Sequence, residues 1–160
     1  MSEFNVRKAV RSDIPVLHEL IKGLAEYEKR PRDVTGCIED LEYWICDRNI
    51  AEALIASLDG EDIGYAIYYP IFASYAAKGK AHLEDLFIKR DYRFSGLGTR
   101  LLSYVCQDVL SSGYHGMEWN ALAWNIEAID YYRHIGAVVE NGRIYFDLDE
   151  ENTKKLASRY

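Results

Sequence analysis

The sequence predicts an α/β (α+β) domain built on a mixed β-sheet. Three observations predict it: apolar residues at helical spacing near the N-terminus, two short apolar runs joined by Asp59-Gly60, and a second half in which strand-like and helix-like segments alternate. A hairpin joins antiparallel strands, whereas parallel strands need a crossover helix. The sheet is therefore expected to start antiparallel and to continue through crossovers. With 160 residues the chain fits one domain, spanning 1–160. A chain of that size buries roughly 68–70% of its unfolded surface, enough for a core without metals or disulfides.

The elements follow in order. A short strand covers Phe4–Arg7. Ser12 or Asp13 suits an N-cap with Pro15 in the first turn, and Ile14, Leu17, Leu20, Ile21 and Leu24 continue a helix to about Tyr27. A second helix is expected over Thr35–Cys46. Ala53–Leu58 and Ile63–Tyr69 form a hairpin through Asp59-Gly60, and Ala81–Ile88 is a further strand. Leu97, Leu101, Val105 and Val109 recur every four residues and give a helix ended by Gly113. Gly116–Ala123 reads as a strand, Ile126–Ile135 as a helix closed by Gly136, and Val138–Phe146 as one or two last strands.

Composition narrows the function classes. The net charge of −7 disfavours phosphate backbones and anionic lipid, so neither nucleic acid nor membrane is an expected partner. A cationic small molecule suits it better. No apolar run approaches the ~20 residues of a membrane span. Met1-Ser2-Glu3-Phe4 lacks the basic and apolar parts of a signal peptide, and a cytoplasmic location is expected. Cys37, Cys46 and Cys106 form no C-x-x-C pair and are expected to be reduced and buried. His18, His82, His115 and His134 lack metal-ligand spacing, so no metal is expected. His82, two residues before Glu84, is placed to share its face and assist with protons, or to serve the structure alone.

The most informative stretch runs from Leu86-Phe87-Ile88 through a charged turn to Arg93-Phe94-Ser95-Gly96-Leu97-Gly98-Thr99. An apolar strand leads into a glycine-rich start of a long amphipathic helix. Glycines let backbone N–H groups approach a ligand, and a helix N-terminus favours negative charge. That chemistry suits a pyrophosphate; a plain tight turn is the alternative. A dinucleotide-binding loop would need a third glycine where Leu101 stands.

Arg93, Gly96 and Gly98 match the R/Q-x-x-G-x-G/A signature, and the segment resembles that of the GNAT acetyltransferases. Three further blocks are similar to the spermidine/spermine (diamine) N-acetyltransferases, including the thialysine branch. They are Leu20–Glu28, Leu83-Glu84-Asp85-Leu86-Phe87, and Trp124-Asn125 with Ile129-Asp130-Tyr131-Tyr132 and Gly136-Ala137. The resemblance implies a GNAT fold, with a mixed sheet of about six to seven strands and about four helices. It also implies acetyl-CoA as co-substrate, a homodimer, and acetyl transfer to a small primary amine. A protein-amine acetyltransferase and a non-catalytic acyl-CoA-binding module are the alternatives.

The resemblance also assigns roles. Glu84 takes the amine's proton through a water, and Tyr132, seven residues after Asn125, protonates the departing thiolate. A bulge on the Glu84 strand frees a backbone N–H near Phe87 for the thioester carbonyl, with Leu86, Phe87 and Ile88 along the pantetheine. Arg93, Phe94, Ser95, Gly96, Leu97, Gly98 and Thr99 hold the pyrophosphate, and Asn125, Ile126, Glu127 and Ala128 also face the cofactor. Tyr27, Glu28, Glu84, Asp85, Glu118, Trp119 and Asn120 are expected around the acceptor. Three departures stand out: Phe94 occupies a common glycine position, Ile135 a common basic one, and Ala73-Ser74-Tyr75-Ala76-Ala77 replaces an acidic, tryptophan-bearing loop. The last points to an acceptor shorter than spermine, such as thialysine, lysine or a simple diamine.

Overall fold

The computed structural model describes residues 2–159. Five strands form one sheet: β1 (Phe4–Lys8), β2 (Glu52–Leu58), β3 (Glu61–Ala73), β4 (Lys78–Ile88) and β5 (Met117–Trp119). They lie in sequence order, antiparallel from β1 to β4, with β5 added parallel to β4. The parallel step needs a crossover, and α3 (Leu97–Ser111) supplies it. The β2–β3 turn is the expected two-residue hairpin, with Asp59 and Gly60 both at positive φ as its hand requires.

Two apolar layers cover the sheet. On one face Ile14, Leu17 and Leu20 of α1 (Ile14–Tyr27) pack with Ile55, Tyr65, Ile67 and Phe87. On the other, α3 buries Leu97, Leu101, Leu102, Val105 and Val109. Each aliphatic side chain buried this way contributes about 1.5–3 kcal/mol over its exposed state. The expected helix after Thr35 forms as α2 (Ile38–Leu41), continuing as a π-helical stretch over Glu42–Asp47.

The chain divides into two compact units, one ending at Asn120 and one beginning at Ala121. The sheet and α1–α3 lie in the first; α4 (Ile126–His134) and α5 (Glu150–Ala157) lie in the second. Several expectations are corrected. Among the described residues the mixed sheet has five strands, slightly fewer than the six to seven expected, and five helices accompany it where about four were expected. Residues 138–146 form no strand: their β-forming side chains have no ladder to join, and propensity alone does not hold a strand. β5 is three residues long, not eight, and α5 was not expected. Asp149 caps α5 by accepting from the Asn152 N–H at 2.8 Å, and Glu150–Lys154 and Glu151–Lys155 pair along it. Cys37 is exposed, and Cys46 and Cys106 are only half-buried. No helix among the described residues is long and apolar enough to cross a membrane.

Gly64 on β3 fixes how closely β4 approaches. A Cβ there would lie 2.4 Å from the Phe87 carbonyl oxygen and 2.5 Å from Ile88 Cδ1. Backbone cannot give way as a flexible side chain can. Gly64→Ala is expected to cost about 1–3 kcal/mol of stability, read as a lower urea midpoint with an unchanged slope.

Candidate active site

The site is organised by one irregularity in β4. Ile67 pairs with Asp85 and Tyr68 pairs with Leu83, so Glu84 is an extra residue, a β-bulge. In a regular strand, adjacent residues face opposite sides of the sheet. The bulge cancels one alternation. Asp85 faces Tyr65, whose hydroxyl donates to Asp85 Oδ2 at 3.0 Å, and Glu84 accepts from the Tyr69 hydroxyl at 3.1 Å. Tyr65 and Tyr69 are four residues apart on β3 and share the α1 face. Both carboxylates therefore stand on that face, as does Phe87, packed against Tyr65 with ring centroids 6.1 Å apart.

The two carboxylates differ. Glu84's side chain is exposed, whereas Asp85 is half-buried. Burial pushes the Asp85 carboxyl up to about 6; the charges of Glu84 and Glu28 add to the rise, and the Tyr65 hydrogen bond opposes it. Glu28, just past α1, is itself raised by burial. Burial also raises the Tyr65 hydroxyl, so it stays protonated and able to donate. The sequence alone gave no sign of Tyr65 and Tyr69 as carboxylate partners, although their four-residue spacing in a strand places them on one face.

Beyond the bulge the β4–β5 ladder stops. β5 pairs only with Ala81, His82 and Leu83. The Lys89 N–H donates to the Ile63 carbonyl at 2.8 Å, so alternation turns the backbone of Phe87 to β3 and that of Leu86 and Ile88 to the outer edge. Arg93 Nε donates to the Ile88 carbonyl at 2.8 Å. Its guanidinium lies 4.0 Å from the Tyr27 ring centroid and 5.4 Å from that of Phe87, joining α1 to the end of β4. Gly23 lets α1 come this close, since a Cβ there would meet the Phe87 ring at 3.1 Å.

The glycine loop follows. Gly96 caps α3 at φ 79°, and Phe94 adopts φ 61°, a conformation that strains a residue with a Cβ and that glycine adopts freely. Ser95 Oγ donates to the Tyr92 carbonyl at 2.6 Å. The first bond of α3 runs from the Arg100 N–H to the Gly96 carbonyl, so the N–H groups of Leu97 and Gly98 lie at the helix end ahead of it. A Cβ on Gly96 or Gly98 would meet nothing within 4 Å. Glycines with room beside them at a helix N-terminus suit a phosphate-bearing ligand.

On β5, Glu118 shares the α1 face with His82, 3.6 Å away. Trp119 pairs with Leu83 and alternates to the α3 face, where Met117 touches Cys106 of α3 at 3.7 Å. Asn120 is exposed just past the strand. In the second unit, Asn125 caps α4, its side chain accepting from the Ala128 N–H at 3.3 Å. Ile126 and Glu127 are exposed in the first turn. Tyr132 is half-buried beside Tyr131, the rings 5.6 Å apart, and Arg133 near the end of α4 pairs with Asp130 at 3.4 Å.

Residues 17–137 match the model of the acetyltransferase (GNAT) family. The chain is 30% identical over 171 aligned residues to the thialysine N-epsilon-acetyltransferase of Sus scrofa, and 28% identical to that of Mus musculus. Each alignment covers 99% of this chain and the whole of the relative. An integron cassette protein from the V. cholerae mobile metagenome superposes with a TM-score of 0.78 at 19% identity, covering 97% of this chain and 98% of the other. That likeness is one of fold.

Asp85 offers a direct check on the electrostatics. Its folded-state value lies above the ordinary carboxylate value, so its contribution to stability is full below about pH 4 and is lost as pH rises through about 6. Asp85→Asn keeps an acceptor for Tyr65 and removes the buried charge. The variant is expected to be more stable than wild type at pH 7–8 by on the order of 1–2 kcal/mol. The gap should close below about pH 4 when unfolding is followed across pH.

Proposed function

The chain belongs to the acetyltransferase (GNAT) family, and from that premise we propose that it transfers an acetyl group from acetyl-CoA to the primary amine of a small cationic acceptor of about thialysine's size. The observation that carries this reading is the bulge that sets Glu84 and Asp85 on one face, with Glu28 close enough to raise Asp85. An alkyl amine with a pKa of about 10.4 arrives protonated and must lose a proton before it can attack. Glu84, exposed and oriented by Tyr69, accepts that proton. Asp85 and Glu28 hold the acceptor's positive charge; an ammonium beside Asp85 favours its ionised form, which offsets the cost of burying it.

The donor fits the outer edge of β4 and the start of α3. Backbone groups of Leu86 and Ile88 lie along the acyl arm, with the Phe87 side chain packed behind them. The Leu97 and Gly98 N–H groups, with Phe94, Ser95, Gly96 and Thr99, receive the pyrophosphate. Arg93 braces the loop through Ile88, Tyr27 and Phe87. When bound, acetyl-CoA supplies an activated acyl group on a thioester with a good leaving thiolate. Family resemblance alone assigns Asn125, Ile126, Glu127 and Ala128 to the donor and Tyr132 to protonating the thiolate.

A short acceptor is favoured by the acid run ending at Glu118. Lys80 lies 3.3 Å from it and offsets its charge, and the β3–β4 turn carries no acid. The pig and mouse relatives are named for thialysine, which accords with this reading. We take the whole chain as one GNAT domain and the protein as a homodimer on the same resemblance, and as cytoplasmic on the three cysteines outside any C-x-x-C pair.

The test is a panel of thialysine, lysine, putrescine, spermidine, spermine and a histone-tail peptide with acetyl-CoA, followed by thiol release. Saturable turnover is expected on a thialysine-sized amine, with spermine poorer. Tight acetyl-CoA binding without turnover on any amine would overturn the reading in favour of a binding module. Tyr132→Phe should lower kcat about 10²-fold with little change in the KM for acetyl-CoA, and Glu84→Gln should abolish turnover or displace the pH–rate profile upward.

A further inference from the structure

We propose that His82 carries the acceptor's proton onward from Glu84, with Glu118 stabilising the ring while it is charged. This rests on the reading of Glu84 as the group that deprotonates the amine. A carboxylate that has taken an ammonium proton must shed it before the next turnover. Glu84 would have to do so beside Asp85 and a bound cation. His82 offers the proton a second station.

The geometry is built for it. His82 precedes the bulge on β4, which leaves its side chain on the same face as Glu84. The side chain is only 14% exposed. Nε2 lies 3.8 Å from Glu84 Oε2, and Nδ1 lies 3.6 Å from Glu118 Oε1. The ring stacks on Tyr69 at 5.1 Å and 26°, and the Tyr69 hydroxyl donates to the same Glu84 oxygen at 3.1 Å. Lys80 pairs with the other Glu118 oxygen at 3.3 Å. Glu84, Glu118 and Tyr69 are thus the polar groups against the imidazole, with Lys80 paired to Glu118 and Asp85 one residue beyond Glu84. A packing role alone explains the stack on Tyr69 but not a carboxylate at each nitrogen.

Both gaps exceed a hydrogen bond. Glu84 and Glu118 are about half exposed, so a small rotation of either chain, or one water, closes them. The relay needs an unprotonated Nε2 toward Glu84, and Nδ1 then holds the ring proton toward Glu118. The ammonium proton passes to Glu84 and then to Nε2. The imidazolium so formed lies between two carboxylates, and it returns the proton to solvent as the products leave. His82 acts through Glu84 and is a positioning and relay residue, not one that touches the acceptor.

His82→Phe keeps the stack on Tyr69 and cannot carry a proton. It is expected to fold with a near-wild-type melting temperature and keep both KM values within about 2-fold, while kcat falls about 10- to 100-fold. Glu118→Gln should lower kcat in the wild type but not further in His82→Phe. In His82→Ala, added imidazole should restore turnover. Wild-type kcat in His82→Phe, or no imidazole rescue of a folded His82→Ala, overturns the relay even if Glu84→Gln is inactive. Wild-type turnover in Glu84→Gln instead overturns the reading of Glu84 and the relay with it. If the phenylalanine variant does not fold, His82→Gln takes its place with the same expectations.

Discussion

The extra residue in β4 is the constraint on which the site depends. Without it, Glu84 and Asp85 would face opposite sides of the sheet, and one of them would be driven against α3. With it, both reach the α1 face, one under each of two tyrosines on β3. The β4–β5 ladder ends at Leu83, just before the bulge, so the strand that carries the carboxylates runs on beyond β5. The acid-lined face and the stretch of β4 without a β5 partner thus meet at one insertion.

The rest of the first unit holds that strand still. Gly64 and Gly23 let β3 and α1 approach it closely, and Arg93 ties the strand end to Tyr27. On the opposite face the Tyr68 hydroxyl donates to Asp108 of α3 at 2.7 Å, and Lys8 pairs with the same carboxylate at 3.3 Å. A rigid floor matters because Asp85 and Glu28 hold charge partly out of water. Repulsion between like charges relaxes by movement unless packing prevents it. The strained φ of Phe94 shows the same economy: the loop keeps its shape although the residue there is not glycine.

What the sequence made legible was local. The Asp59-Gly60 hairpin, the four-residue repeat of α3 and the glycines ahead of it each signal through neighbours a few residues apart. The face shared by Glu84 and Asp85 was not legible from alternation, which separates adjacent residues; family resemblance alone suggested a bulge. Trp119, expected at the acceptor, alternates to the α3 face, because strand register decides which neighbour of Glu118 joins it. The strand expected at Val138–Phe146 was a reading of propensity, and pairing partners are non-local. The α5 signals, an Asp149 cap and Glu–Lys pairs four apart, were present in the sequence but lay in a tail with few apolar residues to mark a helix.

Glu84 and Asp85 form one electrostatic unit on one face of the sheet. Titrating the side-chain carboxyl carbons by NMR in wild type and in Glu84→Gln tests it most directly. Asp85 is expected to titrate at about 6 in the wild type and to move down when the neighbouring charge is removed. An Asp85 that titrates in the ordinary carboxylate range and ignores the Glu84 substitution would contradict it.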